Sequence, residues 1–182
     1  MLKRTSIITL FFLLAGSLAA SVDVEKALEL EPNMDQRYAS SIATRFLTNY
    51  HYKRTRLDDD LSSEIYDAYL DLLDPNRIYF LQSHIDSFER YRHLMDDSLR
   101  HSDLVSAYEI FNLYTDRVLE RVEYSRKRAT EPFDFTIDED YQYNREDEPW
   151  ANNRQELDEL WRLRVKNDYL RLKLTDKEPD KI

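Results

Sequence analysis

Apolar residues recur at three- and four-residue spacing along almost the whole chain, a pattern that predicts helices rather than strands. Tyr38, Ile42, Phe46 and Tyr50, with Ala39, Ala43 and Leu47 beside them, form a first stripe. Asn33-x-x-Gln36, or Asp35, stands where a cap would open it, so a helix is predicted over about 35–53. Leu61, Ile65, Ala68, Tyr69 and Leu72 form a second stripe. Asp58, Asp59 and Asp60 occupy its first turn, where carboxylates meet the positive end of the helix dipole, and Pro75 stops it. The run Ile78-Tyr79-Phe80-Leu81 is too short to assign by period.

Ser83-x-x-Asp86 has the form of a capping box and predicts a helix carrying Ile85, Phe88, Tyr91, Met95 and Leu99. Ser102 is expected to open the next, in which Leu104, Tyr108, Phe111, Val118 and Val122 run on to Ala129 over roughly 40 Å at ~1.5 Å per residue. Residues 130–152 break the pattern with Pro132 and Pro149 and mix aromatics with acids. A last stripe, Leu157, Leu160, Trp161, Val165, Tyr169 and Leu172, follows Asn153-x-x-Glu156. Its far end has no apolar partner later in the chain, so part of it is expected to stay uncovered. Phe111 and Trp161 are the expected core anchors. With no convincing strand alternation and no helical-solenoid repeat, the expected fold is all-α, an irregular domain of about five main helices with one long aromatic and acidic loop.

The first twenty residues run from Lys3 and Arg4 through an apolar stretch, Thr5 to Ala15, to the small residues Gly16, Ser17, Ala19 and Ala20. The stretch is shorter than the ~20 residues of a spanning helix, and the whole predicts a cleaved signal peptide over 1–19 followed by a mobile leader over 20–34. The folded domain is then 35–182. The chain of 182 residues carries 36 acidic and 26 basic side chains, a formal charge of -10, which argues against nucleic acid as partner. Cysteine is absent and Gly16 is the single glycine, so disulfides, thiolate chemistry, a Walker loop, a dinucleotide fingerprint and a Gly-x-Ser-x-Gly elbow are excluded. With 13 Tyr, 8 Phe and 2 Trp the chain still has the apolar bulk for a core.

Chemistry-bearing groupings are few. His51, His84, His93 and His101 do not pair with an acid at zinc-helix spacing and read as helix-edge or surface residues. The acids Asp134, Asp138, Glu139, Asp140, Glu146, Asp147 and Glu148 lack the glycine that a tight calcium loop needs and read as a solvated loop. Asp71/Asp74 and Glu156/Glu159 are spaced to share a helix face, as many pairs are in so acidic a chain. Lys53-Arg54-x-Arg56 and Arg126-Lys127-Arg128 fall at predicted helix C-termini, where cations are favoured. No catalytic, cofactor-binding or metal-ligating residue is assigned. The residues singled out are Phe133, Phe135, Tyr141, Tyr143 and Trp150, which either fold back as a lid on the helices or dock another domain.

The order of five pieces carries a resemblance: Arg45-Phe46-Leu47-Thr48-Asn49-Tyr50-His51-Tyr52; Leu70-Asp71-Leu72-Leu73-Asp74-Pro75-Asn76-Arg77-Ile78-Tyr79-Phe80-Leu81; Glu131-Pro132-Phe133-Asp134-Phe135-Thr136; Pro149-Trp150; and Leu160-Trp161-x-x-x-Val165-Lys166. Together they resemble the N-terminal helical domain of the periplasmic tail-specific, or carboxy-terminal processing, serine peptidases over about 35–175. The resemblance implies a periplasmic endopeptidase with a PDZ domain that captures substrate C-termini and a protease domain with a serine-lysine dyad. It places both domains beyond Ile182, so the chain is expected to be a fragment or the product of a truncated gene, and to be inactive alone. Its expected partners are those PDZ and protease domains, unfolded or tagged protein substrates and an adaptor protein. Its expected role is that of a non-catalytic helical platform; the alternative is a stand-alone acidic helical adaptor or chaperone-like binder.

Overall fold

A computed structural model describes residues 29–50 and 56–175. The expected signal peptide, most of the expected leader, His51, the pair Lys53-Arg54 and the last seven residues lie outside the described residues. Six α-helices follow one another: α1 (Met34–Tyr50), α2 (Asp59–Leu73), α3 (Gln82–Phe88), α4 (Met95–His101), α5 (Val105–Ala129) and α6 (Arg154–Leu174), with a 3-10 turn (Glu89–Tyr91) after α3. Among the described residues there is no strand, only an isolated bridge between Leu81 and Ala151. The fold is all-α. α5 packs along α6, and α4 packs on both α2 and α1.

The predicted caps of α1 and α6 are in place, and Asp58, expected in the first turn of α2, is its N-cap. Asn33 and Gln36 exchange side-chain-to-amide bonds at 2.8 and 3.0 Å, a reciprocal box that satisfies two otherwise orphaned N–H groups. Asp58 accepts from the Leu61 amide, and Asn153 accepts from the Glu156 amide. The carboxylate of Glu156 reaches back one residue further than the box requires, to the Asn152 amide.

The helix expected from Ser83 to Leu99 is corrected on three counts. It begins at Gln82, where the His84 ring Nδ1 accepts from the Leu81 amide, so His84 and not Ser83 supplies the cap. It also breaks after Phe88. Ser62 on α2 ties down the stretch between the 3-10 turn and α4, its hydroxyl donating to the Arg92 carbonyl at 2.8 Å and accepting from the Met95 and Asp96 amides. One fully buried hydroxyl thereby satisfies the backbone that the break exposes. Arg92 braces the same place, its guanidinium 4.5 Å from the Tyr66 ring centroid and bonded to Asp67 and Glu89. Thirdly, Ser102 does not open α5. It ends α4 in the left-handed region at φ 55°, and α5 starts at Val105 with its amide held by Asp103.

Two apolar clusters result. The larger holds Tyr66, Leu70, Leu73, Phe80, Ile85, Phe88, Met95 and Ile110. The smaller holds Ile78, Leu157 and Trp161 under the α5–α6 seam. The run 78–81 therefore feeds both, with Phe80 edge-on to Phe88 at 5.7 Å and the Ile78 carbonyl accepting from the Trp161 indole at 2.7 Å. Trp161 is a core anchor as expected. Phe111 is only half-buried, and its neighbour Ile110 takes the core position.

What fixes run 78–81 is Asp74, the residue after α2, whose carboxylate is fully buried. Its oxygens accept from the amides of Ile78 (2.8 Å), Tyr79 (3.1 Å) and Phe80 (3.0 Å) and from the indole of Trp150 (3.2 Å). Burial pushes the Asp74 carboxyl upward from its ordinary range, and the four donors oppose that shift.

α1 holds the largest departure from the pattern. None of its residues is buried, and the predicted stripe faces outward, with Tyr38 70%, Phe46 61% and Tyr50 75% exposed. Its inward side mixes Ser40, Thr44 and Thr48 with Ala43 and Leu47 of the stripe, and these five line a cavity of about 320 Å³ whose other wall is Leu57, Leu61, Ile65 and Leu99. On α6, where part of the stripe was expected to stay uncovered, Trp161 is buried while Val165, Tyr169 and Leu172 are half-buried, Tyr169 beneath Phe133 and Phe135.

Asp74→Asn should lower stability by more than about 3 kcal/mol, because an amide cannot accept from all four donors and turns its own NH₂ toward some of them. Asp71→Asn, three residues away and exposed, should stay within about 0.5 kcal/mol. Urea midpoints measure both, and equal effects would remove Asp74 from its organising role. Trp161→Ala should cost about 3–5 kcal/mol, and Phe111→Ala, half-buried, about 1–2 kcal/mol, in the same assay.

Candidate functional site

The loop 130–152 connects α5 to α6 without regular structure of its own, yet each end is tied down chemically. At its start, Phe133 lies 5.6 Å from the ring of Tyr169 on α6, and the Arg128 guanidinium sits 4.0 Å from the Phe133 centroid. Phe135 stacks on the same Tyr169 at 6.1 Å and 20°, with the Lys166 and Lys173 ammonium groups within 6 Å of its ring. Aromatic pairs and cations over ring faces each contribute about 0.5–1.5 kcal/mol. At its end, Trp150 bonds Asp74, and Arg77 lies 4.6 Å over its indole.

Residues 74–77 act as a receiver for that second end. Besides the indole bond to Asp74, Asn76 accepts from the Arg145 amide, and Arg77 donates to the Glu148 carbonyl. Arg77 adopts φ 53°, a left-handed conformation that a non-glycine residue takes at a cost. These tertiary bonds hold it there.

Glu139 secures the middle of the loop. Its carboxylate accepts from Arg162 and Lys166 of α6, each at 2.5 Å, and the Lys166 side chain is otherwise nearly covered. This pairing was not legible in the sequence, where Glu139 stood among seven loop acids. Two of the other acids bond within the loop: Asp134 accepts from the Thr136 amide and hydroxyl, and Glu148 accepts from Gln142. Among the described residues no group of three or more acids and histidines is placed to hold a metal ion.

The five aromatic residues thus divide. Phe133, Phe135 and Trp150 pack on the domain's own helices. Tyr141 and Tyr143 meet edge to face at 6.0 Å, Tyr141 half-buried and Tyr143 65% exposed. With Ile137, 54% exposed, Tyr143 is the outward part of the loop. The carboxylate pairs share no cleft, since Asp71 is exposed while Asp74 is buried, and Glu156 caps α6 while Glu159 pairs with Arg162. Arg128, from the predicted basic cluster at the end of α5, is engaged with Phe133 and Glu131.

The bonds from Arg162 and Lys166 pull the Glu139 carboxyl down to about 2. A carboxyl depressed on folding stabilises the folded loop above its ordinary value near ~4.5 and loses that contribution as pH falls toward the depressed value. An NMR titration of the Glu139 carboxyl should therefore show a midpoint near 2, with the amide signals of the neighbouring loop residues shifting in parallel. In Glu139→Gln the acid step in those loop signals should vanish. A midpoint of about 4.5 would show that the Glu139 ion pairs do not help to hold the loop.

The family described as the tail specific protease N-terminal domain matches residues 43–182. A curated relative, the tail-specific protease of Haemophilus influenzae, is 34% identical over 145 residues, which are 79% of this chain and 21% of the relative. The chain spans about a fifth of that relative's length. The match contains α2 to α6, the Asp74 receiver and the loop that it holds, and the chain belongs to the tail-specific protease family as its N-terminal domain.

Proposed function

We propose that this domain is a non-catalytic helical platform of a periplasmic tail-specific serine endopeptidase, one that degrades or trims proteins recognised at their C-termini. The observation that carries the reading is the family match across the folded helices, in a chain that spans a fifth of its Haemophilus relative. The basic start, apolar stretch and small residues of 1–20 support export. Large apolar surface left open on a folded domain marks an interaction face, and the outward stripe of α1 supports a platform on which further protein sits. Tyr143 and Ile137 are candidates for the same kind of contact. The partners in this reading are PDZ and protease domains, polypeptide substrates and an adaptor protein.

Two measurements test it. An immunoblot of periplasmic extract with an antibody against residues 35–175 should show a band several times larger than 22.0 kDa. A band near that mass alone would move the function to a stand-alone acidic helical binder. The purified 182-residue chain should leave an unstructured polypeptide intact. Cleavage by the chain alone would overturn the non-catalytic role.

A further inference from the structure

Between α2 and α5 runs a groove of about 370 Å³, lined by Tyr69, Leu72, Leu73, Ala107, Tyr108 and Phe111, with Leu30 against it. Tyr69 braces the floor by donating from its hydroxyl to the Ala107 carbonyl at 3.0 Å. Leu30 belongs to residues 29–33, which form neither helix nor turn. They are held by a two-way bond: the Leu30 amide donates to Asn112 Oδ1 at 3.0 Å, and Asn112 Nδ2 donates to the Leu30 carbonyl at 2.9 Å. One side-chain amide thus satisfies both main-chain groups of a single residue.

That geometry selects a ligand class. In a helix or an internal strand the amide and carbonyl of a residue are already paired within the element, so an extended segment with a free edge offers both to Asn112, as an unfolded stretch does. The main-chain pairing is indifferent to sequence, and the apolar groove beside it supplies a preference for one leucine-like side chain. Leu30 fills the place incompletely. It remains 45% exposed, and Leu72 at the lip of the groove is 76% exposed.

We propose that the α2–α5 groove is a binding site for unfolded polypeptide, clamped through its main chain by Asn112 with an apolar side chain in the groove, and that residues 29–33 are its resident occupant. The segment is tethered and competes at an effective concentration of about a millimolar, so it acts as a displaceable strap. The inference stands on Asn112 and the groove, independently of the platform reading.

The test is fluorescence anisotropy with two labelled peptides, one of residues 26–33 and one a serine-rich peptide with a single central leucine. A variant lacking residues 21–31 should bind both saturably, and the full chain at least about ten-fold more weakly, since its own segment competes. In the shortened variant, Asn112→Ala should weaken binding at least about ten-fold, as should alanine in place of the peptide leucine. Asn112→Asp, which keeps the acceptor and loses the donor, should fall between. Near-UV circular dichroism identical to that of the parent confirms that each variant is folded. No saturable binding to the shortened variant overturns the proposal, as does equal binding by Asn112→Ala or by the alanine peptide.

Discussion

The arrangement of this domain depends on one buried carboxylate. Asp74 ends α2 and receives three successive amides of the 78–80 run and the indole of Trp150, which lies 76 residues further along the chain. A carboxyl group in a low-dielectric interior is costly unless donors surround it, and buried amides are costly without an acceptor. The carboxylate and its four donors are therefore mutually dependent. Through them α2, the run that feeds both apolar clusters and the end of the long loop are set relative to one another.

The helices were legible wherever local chemistry and burial agree. The stripe of α6 is apolar on the side that packs, whereas α2 buries Ser62, Tyr66, Leu70 and Leu73 and α5 buries Ser106, Ile110 and Arg121, faces rotated from the predicted stripes; the caps at Asn33, Asp58 and Asn153 act within three residues of themselves. What escaped the pattern is non-local. The backbone where α4 starts is held by Ser62, some 30 residues earlier, and a serine on a helix face carries no signal of that role. The stripe of α1 was legible as a helix, but its direction was not, because periodicity identifies an amphipathic face without saying whether the same domain covers it. Asp74 looked like one member of a shared-face acidic pair, and only its partners on the 78–80 run and at Trp150 distinguish it from Asp71.

The long loop shows the same division. Its aromatic content pointed to packing or docking; in the structure Phe133 and Trp150 pack on the domain, Phe135 stacks on Tyr169 while staying 41% exposed, and Tyr143 and Ile137 face outward. Aromatic stacking on Tyr169, the ion pairs of Glu139 and the receiver at 74–77 act at three separate points, so the loop is built into the domain rather than laid over it.

Hydrogen exchange of the Trp150 indole N–H, compared with the amides of Ile78 and Phe80, tests the central claim most directly. If the Asp74 carboxylate joins loop and core into one cooperative unit, all three protons should exchange with the same opening free energy, that of global unfolding. An indole proton that exchanges orders of magnitude faster than the Phe80 amide would mean that the loop comes away while the core stays closed, and would contradict the account.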